Sequence, residues 1–156
     1  MGRRDEEGRR GASEAKAGSR APAASDDPRP DALFAEARGA LERGDRRHAR
    51  ASIESLESAL EVHFALEDRV YFPALCALQP SVDPDIRSLQ REHGKMREHL
   101  ASIASRLAAQ EDPAGLLPAF EGLVSSFLDH EAREESILVA VESGLTEGDA
   151  GPHSAA

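Results

Sequence analysis

The chain has 156 residues, 40% of them hydrophobic, which suits one ordinary domain with an appendage rather than two full cores. Only 4% are aromatic and Trp is absent, which argues against a large aromatic-lined substrate pocket. With 29 acidic against 19 basic residues the formal charge is -10, so nucleic acid and anionic membranes are poor partners.

Residues Met1 to Pro30 contain no Leu, Ile, Val or Phe and cannot bury enough apolar surface to offset ordering, so residues 1–30 are expected to form a disordered tail. No apolar run follows Arg3, Arg4, Arg9 and Arg10, so the signal-peptide pattern fails. No stretch reaches the roughly 18 apolar residues of a membrane span, and a soluble cytoplasmic protein is the expectation. The tail is nearly neutral, so the acidity belongs to the body. From Asp31 onward the hydrophobic period is helical and no alternating strand pattern occurs, which predicts an all-α domain.

Helix one is predicted from Asp31 to Arg43, ending at Gly44. Asp45 then caps a second helix running to about Phe72, where Pro73 interrupts it. Asp83-Pro84 opens a third helix to about Gln110, and Asp112-Pro113 a fourth to about Glu142, before Gly144; both pairs read as an N-cap followed by a first-turn proline. Four helices with short connections predict an up-down-up-down four-helix bundle over residues 31–144, with a flexible C-terminal tail at 145–156.

The inward stripes, written at alternating spacings of three and four, carry the functional signal. Helix two gives Ile53, Leu56, Leu60, His63, Glu67, Val70; helix three gives Ile86, Leu89, His93, Met96, Leu100, Ile103, Leu107; helix four gives Phe120, Leu123, Phe127, His130, Glu134, Ile137, Val141. His63, Glu67, His93, His130 and Glu134 therefore interrupt otherwise apolar stripes, and counting from the loops brings all five to one depth. Burying such groups unpaired costs several kcal/mol per ion, and a divalent cation is the simplest compensation. Mixed imidazole and carboxylate ligands suit iron, manganese or zinc better than calcium or magnesium. The single cysteine, Cys76, closes no internal disulfide and no Cys-x-x-Cys site, and reads as a packed small hydrophobe. His48 lies about 22 Å from His63 along one helix and His99 leaves the stripe, so both read as surface residues, and His153 falls in the C-terminal tail. Asp68 and Glu135 also leave the stripe, toward the surface or the ligands' outer neighbours. Tyr71, one turn beyond Glu67, is placed either to hydrogen-bond a carboxylate or to pack.

His63-Phe64-Ala65-Leu66-Glu67-Asp68, Tyr71-Phe72-Pro73, Glu92-His93 and His130-Glu131-Ala132-Arg133-Glu134-Glu135 together resemble the hemerythrin-like, or HHE cation-binding, domain. The resemblance implies a four-helix bundle with a non-haem di-iron centre. Glu67 and Glu134 would bridge the irons, His63 would ligate one, and His93 with His130 the other. It further implies a small-molecule ligand, namely oxygen, peroxide or nitric oxide, or sensing of iron and redox state. Two departures stand out. The family supplies a histidine from helix one, whereas here none lies between Met1 and Arg47, and the matching depth falls on Asp26 or Asp27 or is left to water. Oxygen-carrying members also place a histidine four residues after the one on helix three; here Arg97 stands there. Two alternatives compete. One is a ferritin-like di-iron oxidase or peroxidase, which would use Glu-x-x-His rather than His-x-x-x-Glu. The other is a metal-poor bundle acting as a partner-binding module.

Overall fold

A computed structural model describes residues 30–148, and every regular element among them is helical. Helix α1 (Pro30–Glu42) turns through Gly44, which adopts the left-handed φ of +67° that costs glycine little, into α2 (Arg46–Leu66). Asp45 caps α2 as expected, its side chain accepting from the His48 backbone N–H at 3.0 Å. α3 (Phe72–Leu78) continues the line of α2, α4 (Asp83–Ala108) follows, and α5 (Leu117–Gly148) completes a four-helix bundle.

The helix expected to stop at Pro73 instead runs on to Leu78. Pro73 has no N–H and its ring crowds the carbonyl four residues back. The chain accommodates this with a widened turn over Glu67–Tyr71, closed by the Phe72 N–H on the Glu67 carbonyl. The extra residue in that turn rotates everything after it. Val70, predicted on the inward stripe, is 52% exposed, and Phe72 takes the inward place with no exposed surface. Tyr71 is half exposed and hydrogen-bonds no carboxylate among the described residues, while Cys76 is partly buried against apolar neighbours.

Other boundaries also shift. Val82, not Asp83, caps α4; Asp83 lies inside the first turn and pairs with Arg87 at 2.9 Å. Asp112-Pro113 opens a single tight turn, Pro113–Leu116, before α5 begins at Leu117. Gly144 does not end α5, which extends to Gly148. Asp26, Asp27 and His153, with most of the two expected tails, lie outside the described residues.

The apolar interior is divided in two. The larger cluster gathers Leu33, Phe34 and Leu41 of α1 with Leu56, Leu60 and Phe64 of α2, Met96 to Leu107 of α4, and Phe120 to Phe127 of α5. The smaller holds Phe72, Leu75, Val82, Ile86, Leu89 and Val141. Along each long helix the break falls at the same level: between Phe64 and Phe72, between Leu89 and Met96, and between Phe127 and Val141. α1 has 13 residues and is about 20 Å long, against about 48 Å for the 32 residues of α5. Its buried residues all join the larger cluster, so the polar level draws its side chains from α4, α5 and the rod formed by α2 and α3.

Candidate metal centre

The break between the two clusters is filled by charged and polar side chains. Glu67, His93 and His130 are buried there, and His63 and Glu134 are partly buried. Glu67 belongs to the widened turn, and its two carboxylate oxygens face different histidines. Oε1 lies 2.8 Å from His63 Nε2, and Oε2 lies 3.0 Å from His93 Nε2 and 3.8 Å from His130 Nε2. His93 and His130 bring their Nε2 atoms to 3.0 Å from each other.

Both rings are held from behind. His93 Nδ1–H donates to Asp68 Oδ1 at 3.0 Å and His130 Nδ1–H donates to Glu92 Oε2 at 3.1 Å. Protons fixed at Nδ1 leave the two Nε2 lone pairs turned toward each other and toward Glu67, an arrangement that needs either a proton or a cation between them. Glu67 Oε2 is buried and lacks a well-aligned hydrogen bond despite its nitrogen neighbours. A triangle with sides of 3.0, 3.0 and 3.8 Å has a circumscribed radius of about 1.9 Å, so a point slightly off its plane is about 2.0–2.1 Å from all three atoms, the length of a zinc-type metal–imidazole bond. The residues present fit a transition-metal ion. A second set joins them: donor atoms of Glu67, His130, Glu131 and Glu134 lie within 4.8 Å of one another.

A protein-family model, the hemerythrin HHE cation binding domain, matches residues 31–141. The chain belongs to that family. No curated protein and no solved structure matches it. The hemerythrin domain thus carries the buried His and Glu cluster expected of a cation-binding bundle, and no described helix is long and apolar enough to cross a membrane.

The surroundings of this hemerythrin layer hold its imidazoles in place. The His93 ring is stacked between Phe64, 4.2 Å away with a 17° tilt, and Phe72, 5.6 Å away with a 13° tilt. Both phenyl rings come from the rod that carries Glu67, so one element places the carboxylate and dries the imidazole beside it. Arg97 lies one turn beyond His93 on α4. It pairs with Glu61 at 2.7 Å, approaches Asp68 at 4.0 Å and lies over the Phe64 ring at 5.3 Å. Arg133 donates to Glu92 on the His130 side. Each buried imidazole is therefore backed by a carboxylate, and each carboxylate faces an arginine.

The opposite edge is wetter. His63 retains 29% of its side-chain exposure, and its Nε2 lies 3.1 Å from Glu131 Oε1, which is 40% exposed. Without metal, the layer balances its acids with protons. Glu131 first, then Glu67, push His63 up to about 10 against the effect of burial. Burial would lower His130, but Glu67 and Glu92 outweigh it and the net shift is upward. Burial alone would raise Glu67, yet His130, His63 and His93 together hold it well below the usual carboxylate range. Glu134 is pushed up to about 7 by burial and by the charges of Glu67 and Glu131, which outweigh the opposing pull of His130.

All five residues read from the stripes come to this level. Sequence reasoning missed Glu92 and Glu131 as participants and left Asp68 between surface and support. Glu131 follows Phe127 by four residues, a spacing that could have flagged it as facing inward. His48 is a partly exposed partner of Glu36 at 3.0 Å, and His99 stands away from the layer in a cleft between α4 and α5.

Proposed function

We propose that this hemerythrin domain binds two non-haem irons in the layer, held by His63, Glu67, His93, His130 and Glu134, with Glu131 as a further carboxylate. The observation that carries the reading is Glu67: one buried carboxylate presents Oε1 to His63 and Oε2 to His93 and His130, as a bridge between two metal ions requires. Bound iron would supply one-electron chemistry and exchangeable positions for oxygen, peroxide or nitric oxide. The chain's own residues do the rest. Asp68 and Glu92 keep the His93 and His130 protons at Nδ1 and aim the Nε2 atoms inward. Phe64 and Phe72 exclude water from one edge, leaving the His63 and Glu131 edge as the route for a small ligand. Asp26 and Asp27 remain candidates to close that edge from the N-terminal side.

The test is iron content after anaerobic ferrous reconstitution, together with thermal unfolding with and without iron. About two irons per chain are expected in the natural sequence. At free iron about 100 times Kd, binding should stabilise the fold by about 2.7 kcal/mol per site. Glu67→Gln and Glu134→Gln should each lower the iron content. Unchanged stoichiometry in both variants would overturn the bridging assignment. A metal-poor bundle that binds a protein partner is the second reading. It is favoured by one observation, that α1 offers only apolar side chains to the interior, and it predicts no iron uptake and no stabilisation.

A further inference from the structure

A cleft of about 370 Å³ lies between α4 and α5, outside the layer, lined by Glu92, Lys95, Met96, His99, Ser126, Asp129 and Arg133. Its volume is in the range of small-metabolite sites. Glu92, Lys95 and His99 follow at spacings of three and four on α4, and Ser126, Asp129 and Arg133 do so on α5, so each helix turns one face into it. Met96, nearly fully buried, supplies apolar lining at its base.

The charges in this cleft are unevenly used. Arg133 and Glu92 are paired, and Glu92 also accepts from His130, so its negative charge is already shared by two donors. Among the described residues Lys95 and His99 have no hydrogen-bond or ion-pair partner, and Arg133 uses only Nη1 on Glu92. An ammonium, an imidazole N–H and the remaining guanidinium N–H groups therefore face one concavity with no acceptor of their own. The opposing group is the Asp129 carboxylate, itself unpartnered among the described residues.

We propose that this cleft is a binding site for a small oxyanion, a phosphate or carboxylate, held by Lys95, His99 and Arg133 and weakened by Asp129. An oxyanion on the remaining N–H groups of Arg133 shares that guanidinium with Glu92, the carboxylate that aims His130 into the layer. Occupancy of the cleft and the orientation of His130 are thereby linked. The binding step stands on the cleft alone. Only the link to metal affinity rests on the iron reading above.

The full chain, stripped of metal, would be titrated with inorganic phosphate by calorimetry and by NMR of the His99 and His130 ring signals. Saturable binding at millimolar phosphate is expected, with both rings responding. Lys95→Glu should weaken it by tenfold or more, and Asp129→Asn should tighten it several-fold. Both residues lie on the cleft surface, and circular dichroism would verify the fold of each variant. No saturable binding, or binding indifferent to Lys95→Glu, overturns the site. Binding that leaves the His130 signals unmoved overturns the link. Because these measurements need no iron, an absence of iron uptake would sink the metal reading and leave this one standing.

Discussion

Replacing Glu67 by Gln in the metal-free protein keeps the side-chain volume and removes one charge, and its cost should depend steeply on pH. The carboxylate is almost fully buried, with nitrogens of His63 and His93 at 2.8 and 3.0 Å and that of His130 at 3.8 Å. Where the His63 and His130 imidazoles are protonated, the substitution strands buried positive charge, and removing one partner of a buried ion pair costs about 3–5 kcal/mol. Where they are neutral, the same change removes only a polar contact, worth about 1 kcal/mol.

The pH window follows from the shifts. His63 rises from 6.5 to about 10 on folding, so the stability it adds is complete below pH 6.5 and disappears as pH climbs toward 10. Glu67 moves down from 4.5, so its contribution is complete above pH 4.5 and disappears in stronger acid. Both are present together between those two unfolded-state values. Urea unfolding of chelator-treated wild type and Glu67→Gln, followed by circular dichroism, should show a loss of about 3 kcal/mol at about pH 5.5, shrinking to about 1 kcal/mol or less at about pH 10. A cost that stays constant across that range would refute the account of protons balancing this carboxylate.

Glu134 should behave in the opposite sense. Its pKa rises from 4.5 to about 7 on folding, so ionising it above that range opposes folding. Glu134→Gln should therefore stabilise the metal-free chain near pH 8, on the order of 2 kcal/mol by urea unfolding, while lowering iron content. Asp68→Asn and Glu92→Gln weaken the acceptors that orient His93 and His130, and each should reduce metal affinity about 10–100-fold in chelator competition while the helical signal persists. Phe64→Ala removes a fully packed ring that stacks on His93 and supports Arg97. The expected cost is about 3–5 kcal/mol by urea unfolding, with faster exchange of the His93 ring proton.

The stripes were legible because the helical register of α4 and α5 is unbroken. Leu89, His93 and Met96 occupy the register their spacing assigns, as do Phe127, His130 and Val141. On the first long rod the same arithmetic held as far as Glu67 and failed at Val70. Pro73 was visible, but a proline inside a helical pattern can end it, kink it or widen the turn before it. Burial of Phe72 against His93 selects the last of these, a tertiary contact that local sequence does not express. The supporting carboxylates were hidden for a different reason. Asp68 and Glu92 each sit one residue from a ligand candidate and off the inward stripe, where an acid looks solvated. Only the crossing of helices reveals that the imidazole of a neighbouring rod reaches them.

A layer of this kind is costly to any bundle, and its location shows how the cost is contained. The two apolar clusters are complete above and below it, so the packing that holds the helices together does not pass through the titratable groups. His93 is locked by two phenyl rings and one carboxylate, whereas His63 keeps 29% of its side-chain exposure, pairs with Glu67 and Glu131, and meets the Phe64 and Phe127 rings only at tilted, longer contacts of 5.8 Å. Close packing on one edge sets the positions of the donor atoms in advance of a cation. Openness on the other gives protons a way out, because a cation held there would have to displace protons from His63 and Glu134. Glu67 spans the two edges through its two oxygens, and the widened turn that accommodates Pro73 and buries Phe72 carries it to that position.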